Sequence, residues 1–175
     1  MKRTRLLTSI LFSTLSFVCG ETLYTTTNTG ENIAAYGDYG ISFKLNSDIT
    51  VSELSFFALN LGGGDTPYVQ LWNDDSDTLL ADVKWDAGQS EAGWNSKKLQ
   101  SPVTLKRGVT YQIQSSAYWV PTHTKSDFGF SEVVESTTFH QTEGWVDWTA
   151  PTAPSKGKLQ KEPAALVNLT YESAK

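Results

Sequence analysis

Apolar residues recur at every second position in short runs along most of the chain, and no run sustains the 3.6-residue period of an amphipathic helix. Ile41, Phe43 and Leu45 alternate with Ser42 and Lys44. Asn46-Ser47-Asp48 then reads as a turn, and Ile49 and Val51 lead into Leu54, Phe56 and Phe57, so the pattern predicts a hairpin-like pair. After Gly62-Gly63-Gly64-Asp65, the strongest loop signal, Val69, Leu71 and Trp72 form the next strand. The acidic turn Asn73-Asp74-Asp75-Ser76-Asp77 leads into a further strand from Leu79 to Trp85. Val103 and Leu105 precede a turn at Lys106-Arg107-Gly108, beyond which Val109, Tyr111 and Ile113 alternate with polar partners.

From Tyr118 to Thr149 the pattern loosens into short apolar pieces, read as loop with short strands. Residues 150–163 carry Pro151, Pro154 and Pro163 among polar residues and read as an exposed connection. A last strand follows, with Val167, Leu169 and Tyr171 on one face. Turns at this spacing predict an all-β fold, an antiparallel sandwich of about eight strands. Its expected core includes Phe43, Leu54, Phe56, Leu71, Val83, Leu105, Tyr111 and Ile113.

The first 20 residues do not share this pattern. Lys2, Arg3 and Arg5 precede an apolar stretch from Leu6 to Val18 and a small-residue end at Val18-Cys19-Gly20, the make-up of a removable secretory signal. A lipidated Cys19 would want small residues before it, where Phe17 and Val18 stand. Cleavage after Gly20 makes residues 21–175 a single β-sandwich domain and removes the only cysteine, so that fold would stand without a disulfide. The loss of three cations takes the net charge from −5 to −8, which disfavours nucleic acid and anionic membrane as partners, and no apolar run in the body of the chain is long enough for membrane insertion. The expected location is secreted, extracellular or at the cell surface.

Four pieces, taken in order, carry a resemblance. They are Ser42-Phe43 with the run from Ser47 to Phe57, then Val69-Gln70-Leu71-Trp72, then Thr78-Leu79-Leu80-Ala81, and finally the segment from Pro102 to Tyr111. Together, over residues 39–116, they resemble a domain-of-unknown-function family of secreted bacterial proteins that often sits beside carbohydrate-active or adhesive modules. The same order of strands is similar to the PHR domain of large animal ubiquitin ligases. The resemblance implies a jelly-roll-like β-sandwich and carries over no catalytic motif.

The chemistry-bearing residues are sparse. His123 and His140, without a cysteine partner in the mature chain, lack any HExxH-type spacing, and Gly129-Phe130-Ser131-Glu132-Val133 lacks the second glycine of a nucleophile elbow. The acidic turn at 73–77 offers oxygen ligands at alternate positions, but Thr78 and Lys84 stand where an EF-hand needs glycine and glutamate. It reads first as a hairpin turn bonding its own backbone, with calcium the one cofactor left open and no metal site assigned. Asp127, Glu132, Glu135, Glu143 and Asp147 share one irregular region, and Glu132 and Glu135 would be the pair to test for glycoside chemistry. The sequon Asn168-Leu169-Thr170 would place a glycan on the polar face of the last strand, if the source glycosylates.

Aromatics say more. Trp72 and Trp85 fall in strand patterns and are expected in the core or at its edge. Trp94, Tyr118, Trp119, Trp145 and Trp148 fall in loop contexts, where they either plug the core or present flat faces for stacking on a sugar ring. Tyr118, Trp119, Trp145 and Trp148 are the candidate ligand-binding residues, with no catalytic residue assigned. The expected function is a non-enzymatic binding or adhesion module for a glycan or another cell-surface or extracellular-matrix component. A structural subunit that self-associates by donating residues 166–171 to a neighbour is the first alternative, and a carbohydrate-active enzyme the second.

Overall fold

The computed structural model describes residues 20–26, 32–58, 66–121, 128–141, 158–159 and 167–173. The expected signal (residues 1–20, of which Gly20 alone is described), the Gly62–Gly64 loop and most of the proline-bearing connection lie outside these residues. All described regular structure is strand, in chain order β1 (Glu21–Thr22), β2 (Tyr24–Thr26), β3 (Asn32–Leu45), β4 (Ile49–Ala58), β5 (Tyr68–Asn73), β6 (Thr78–Lys84), β7 (Gly93–Leu105), β8 (Thr110–Pro121), β9 (Phe128–Phe130), β10 (Val134–Gln141), β11 (Lys158–Leu159) and β12 (Val167–Ser173). Every pairing is antiparallel. One sheet runs β1-β12-β4-β7, a second β11-β10-β3-β8-β5-β6, and β2 pairs with β9 in a short ribbon.

The two larger sheets face each other across one core, to which alternate residues of each strand contribute because side chains leave a strand on opposite faces in turn. Ile41, Phe43, Leu45, Val69, Leu71, Tyr111 and Ile113 come from the six-stranded sheet, and Ile49, Val51, Leu54, Phe56, Leu105, Val167, Leu169 and Tyr171 from the four-stranded one. All eight expected core residues are buried. Trp85 joins the core, packed edge-on against Phe56 at 4.8 Å. Trp72 is equally buried but lies on the other face of its sheet, where its indole N–H donates to Gln70 Oε1 at 3.3 Å. Around it Gln114 Nε2 donates to Gln70 Oε1 (2.9 Å), and Gln112 and Ser42 are also buried on this polar face.

The hairpin expected from residues 41–57 does not form. Its two strands belong to different sheets, and Asn46–Asp48 is a corner between them. The alternation is the same either way, since a strand that crosses from one sheet to the other keeps its apolar face inward. What differs is where the turn's polar groups go. Asn46 N donates to Val133 O (3.0 Å) and Asn46 Nδ2 to Glu132 O (2.6 Å), while Asp48 accepts from Lys106 Nζ (2.8 Å) and Arg107 N (2.9 Å). The Lys106–Val109 turn is likewise a crossing, from β7 to β8. It is held by Gly108 N to Leu45 O (2.7 Å) and by Lys106 N donating to the Tyr111 hydroxyl (2.7 Å). Gly108 takes φ +76° there, which an L side chain resists. Between β5 and β6 the expected hairpin is real.

The β2–β9 ribbon laces the sheets together. Tyr24 packs edge-on against Phe128 (4.9 Å) and Phe130 (5.7 Å), and Phe128 lies 5.1 Å from Phe139 of β10 in the six-stranded sheet. On the other side Leu23, fully buried, donates its N–H to Leu169 O of β12 (3.3 Å) and accepts from Ser131 N (2.9 Å). Ser131 Oγ in turn bonds the Tyr171 hydroxyl, which donates to Glu21 Oε2 at 2.9 Å.

Candidate functional site

Antiparallel register builds three rows across the outer face of the four-stranded sheet. Phe57 of β4 lies opposite Trp94 of β7. Ser55 lies opposite Ser96, with Asn168 of β12 beyond it. Glu53 lies opposite Lys98, with Thr170 beyond it. The face therefore passes from an aromatic end through hydroxyls and an amide to a charged end. At about 3.4 Å per residue, successive rows stand roughly 7 Å apart.

Trp94 sits at the aromatic end. Its ring meets Phe57 edge-on at 5.6 Å and Tyr24 at 6.4 Å, yet it is 43% exposed, the one exposed large hydrophobic side chain among the described residues. Beside it a groove of about 270 Å³ opens between the sheet and the overlying β2 segment, lined by Thr22, Tyr24, Thr25, Thr26, Ser55, Trp94, Ser96, Asn168 and Thr170. None of these carries a formal charge at neutral pH. The Tyr24 phenol is buried and raised well above its ordinary pKa by that burial, so it stays protonated.

Several of the lining side chains are held by bonds within the chain, Thr25 Oγ1 among them through Gly129 O at 3.5 Å. Asn168 is 5% exposed, and its Oδ1 accepts from Leu23 N (3.0 Å) and Leu169 N (2.9 Å) while its Nδ2 donates to Tyr24 O (2.8 Å). Thr22 Oγ1 donates to the same Tyr24 carbonyl at 3.1 Å. These bonds hold the chain where it leaves β1, crosses over the sheet and enters β2. They also correct the sequon expectation. Asn168 does point from the outer face, but its amide nitrogen is consumed in a buried bond, so a glycan there is incompatible with this fold. Ser55 and Ser96 form the middle row of the groove, paired with each other across β4 and β7.

The expected ligand residues fall elsewhere. Tyr118 and Trp119 lie within β8 rather than in a loop, Trp119 opposite Ala34 of β3 beside a register irregularity, in the six-stranded sheet and not the one that carries Trp94. Their side chains, and Trp145 and Trp148 entirely, lie outside the described residues, as do His123, Asp127, Glu143 and Asp147. Trp94, in a loop context by its sequence, is the second residue of β7.

The remaining chemistry resolves into local structure. In the acidic turn, Asn73 Oδ1 accepts from Asp75 N (3.1 Å) and Ser76 N (3.2 Å), and Asp75 Oδ2 accepts from Thr110 N (3.1 Å), so these oxygens serve the backbone. No group of three potential metal ligands occurs among the described residues. Glu132 is exposed after β9, and Glu135 pairs with Lys44 at 3.3 Å on the surface. Among the described residues no helix is long and apolar enough to cross a membrane.

The family model described as Domain of unknown function (DUF4082) matches residues 23–158, and the chain belongs to that family. No curated protein matches it.

Proposed function

We propose that the chain is a secreted, non-enzymatic binding module that recognises a carbohydrate in the groove beside Trp94. The observation that carries this reading is Trp94 itself. Its indole is 43% exposed beside a groove of hydroxyl-bearing side chains, a flat apolar face set next to polar groups. A pyranose offers an apolar C–H face for the ring and hydroxyls for Ser55, Ser96 and Thr170. The amino-terminal pattern, with Lys2, Arg3 and Arg5 before an apolar stretch, supports export to a compartment where glycans are met.

The strand-donating alternative finds less support. β12 is flanked on both edges by β1 and β4 of its own chain, and the edge strands carry Asp82, Lys84, Lys97, Lys98 and Pro102, which discourage edge-to-edge pairing.

The test is a glycan array followed by calorimetry on the best hit, with Trp94→Ala and Trp119→Ala compared. Trp94→Ala should weaken binding by about tenfold, equivalent to about 1.4 kcal/mol, while the glycan stays chemically intact on product analysis. Because the ring is only partly buried, its loss should destabilise the fold by about 1–2 kcal/mol rather than the 3–5 of a core tryptophan. Full binding by Trp94→Ala, with loss in Trp119→Ala, moves the site to the six-stranded sheet and overturns this assignment.

A further inference from the structure

We infer that the Trp94 groove selects a single uncharged pyranose unit over acidic, sulfated or amino sugars; this rests on the carbohydrate reading above and narrows it. Two observations carry the step. The first is the wall chemistry. Among the described residues all nine that line the groove are neutral, and the one ionisable side chain of these, Tyr24, is held protonated by its burial. A carboxylate, sulfate or ammonium brought into this groove would shed water without meeting an opposite charge, a loss that no hydroxyl contact offsets. Glu53 and Lys98 stand opposite each other in the row of Thr170, and Glu172 follows Thr170 along β12; none of the three lines the groove.

Size is the second observation. A volume of about 270 Å³ lies just below the range of pockets that take drug-sized ligands, and among the described residues one indole is exposed beside it. One stacking platform holds one ring. Asn168 Nδ2, donating to Tyr24 O, fixes β2 over the groove. A long polysaccharide lying across several aromatic subsites is not what this geometry accommodates.

The experiment uses the mature chain and a panel of methyl glycosides and short oligosaccharides of neutral hexoses and pentoses. Each is matched by its uronic acid, sulfated or amino counterpart and titrated by calorimetry at about 20 and about 500 mM salt, where the Debye length falls from roughly 20 Å to below 5 Å. The expected result is a neutral member that binds with less than about a threefold change in Kd across that salt range. Its charged counterpart should bind at least about tenfold more weakly, and extension beyond two sugar units should gain less than about threefold. Preferential binding of a charged sugar that Trp94→Ala abolishes overturns the selectivity and leaves the binding-module reading standing. Affinity that climbs steadily with chain length overturns the single-unit inference in the same way. If no sugar of the panel shows binding that depends on Trp94, the selectivity and the carbohydrate reading fall together.

Discussion

Replacing Asn168 by alanine should cost more than its position on the outer face of a sheet suggests. The side chain is 5% exposed and makes three hydrogen bonds to backbone, each with a different dependence on it. Leu23 N keeps a second acceptor in Leu169 O at 3.3 Å, and Tyr24 O keeps a second donor in Thr22 Oγ1 at 3.1 Å. Leu169 N is paired with Asn168 Oδ1 alone, so it is left orphaned in a fully buried residue. An orphaned buried donor costs about 1–3 kcal/mol, and each of the two partly replaced bonds about 0.5–1.5, so the expected loss is about 2–6 kcal/mol. That is a large share of the 5–15 kcal/mol of an ordinary domain, and for a chain of this size it lowers the melting temperature by roughly 4–24 °C.

A double-mutant cycle sharpens the argument. Thr22→Val alone leaves Tyr24 O with Asn168, and Asn168→Ala alone leaves it with Thr22, but the pair strips both donors from one carbonyl. The double variant should therefore lose more than the sum of the singles, by about 0.5–3 kcal/mol. Denaturant unfolding of the four proteins measures both quantities. Additivity within about 0.3 kcal/mol, or an Asn168→Ala loss below about 0.5, would falsify the view that this amide anchors the crossing from β1 to β2.

Other perturbations separate local causes. Tyr24→Phe removes a buried hydroxyl that approaches the Val167 backbone without making a hydrogen bond of good geometry, so thermal denaturation should show stability unchanged or raised; a loss above about 1 kcal/mol would show that the Val167 contact is a stabilising bond. Gly40→Ala would place its Cβ 2.6 Å from Ile113 O, forcing β3 and β8 apart, and urea titration should register a loss of about 1–3 kcal/mol or more. Asp48 is held below its ordinary pKa by the hydrogen bond from Lys106 and then by that from Arg107 N. A lowered folded-state pKa adds stability above the unfolded value of about 3.9, and that stability is lost as pH falls from there through the folded value. Asp48→Asn should accordingly flatten the acid side of the stability profile without altering the slope near neutrality.

Fold class was legible because it depends on a period. Phe43, Leu54, Leu105 and Ile113 alternate with polar neighbours, and each is buried in the core. Connectivity was not, because alternation records which face of a strand is buried and carries nothing about which sheet the strand joins. Leu45 and Ile49 are both fully buried on either side of Asn46–Asp48, and a hairpin or a corner satisfies that equally. The decision rests on Asp48 and Asn46 finding partners at Lys106, Arg107, Glu132 and Val133, more than fifty residues away in each case. Trp72 shows a second limit. Burial was expected for it and is observed, but its neighbours are Gln70, Gln112 and Gln114, since the face away from the sandwich interior is buried as well.

The site was hidden for a related reason. β7 is an edge strand, and its first half, Gly93-Trp94-Asn95-Ser96-Lys97-Lys98, is polar on both faces, so no period of two marks it as strand and Trp94 reads as a loop residue. The surviving signal is pairwise. Ser55-Phe56-Phe57 and Trp94-Asn95-Ser96 are mirror images in order, aromatic and hydroxyl two positions apart. Antiparallel pairing with Phe57 opposite Trp94 brings like to like, ring beside ring and hydroxyl beside hydroxyl. Such a match is informative only once the register is known, and the register is imposed from the opposite faces of the same strands, where Leu54 and Phe56 are buried in the core. Core packing thus fixes the position of the groove. Substitutions that keep inward volume while shifting β4 by one residue would exchange Ser55 and Phe57 for Leu54 and Phe56 on the outer face, and groove and core would be lost together.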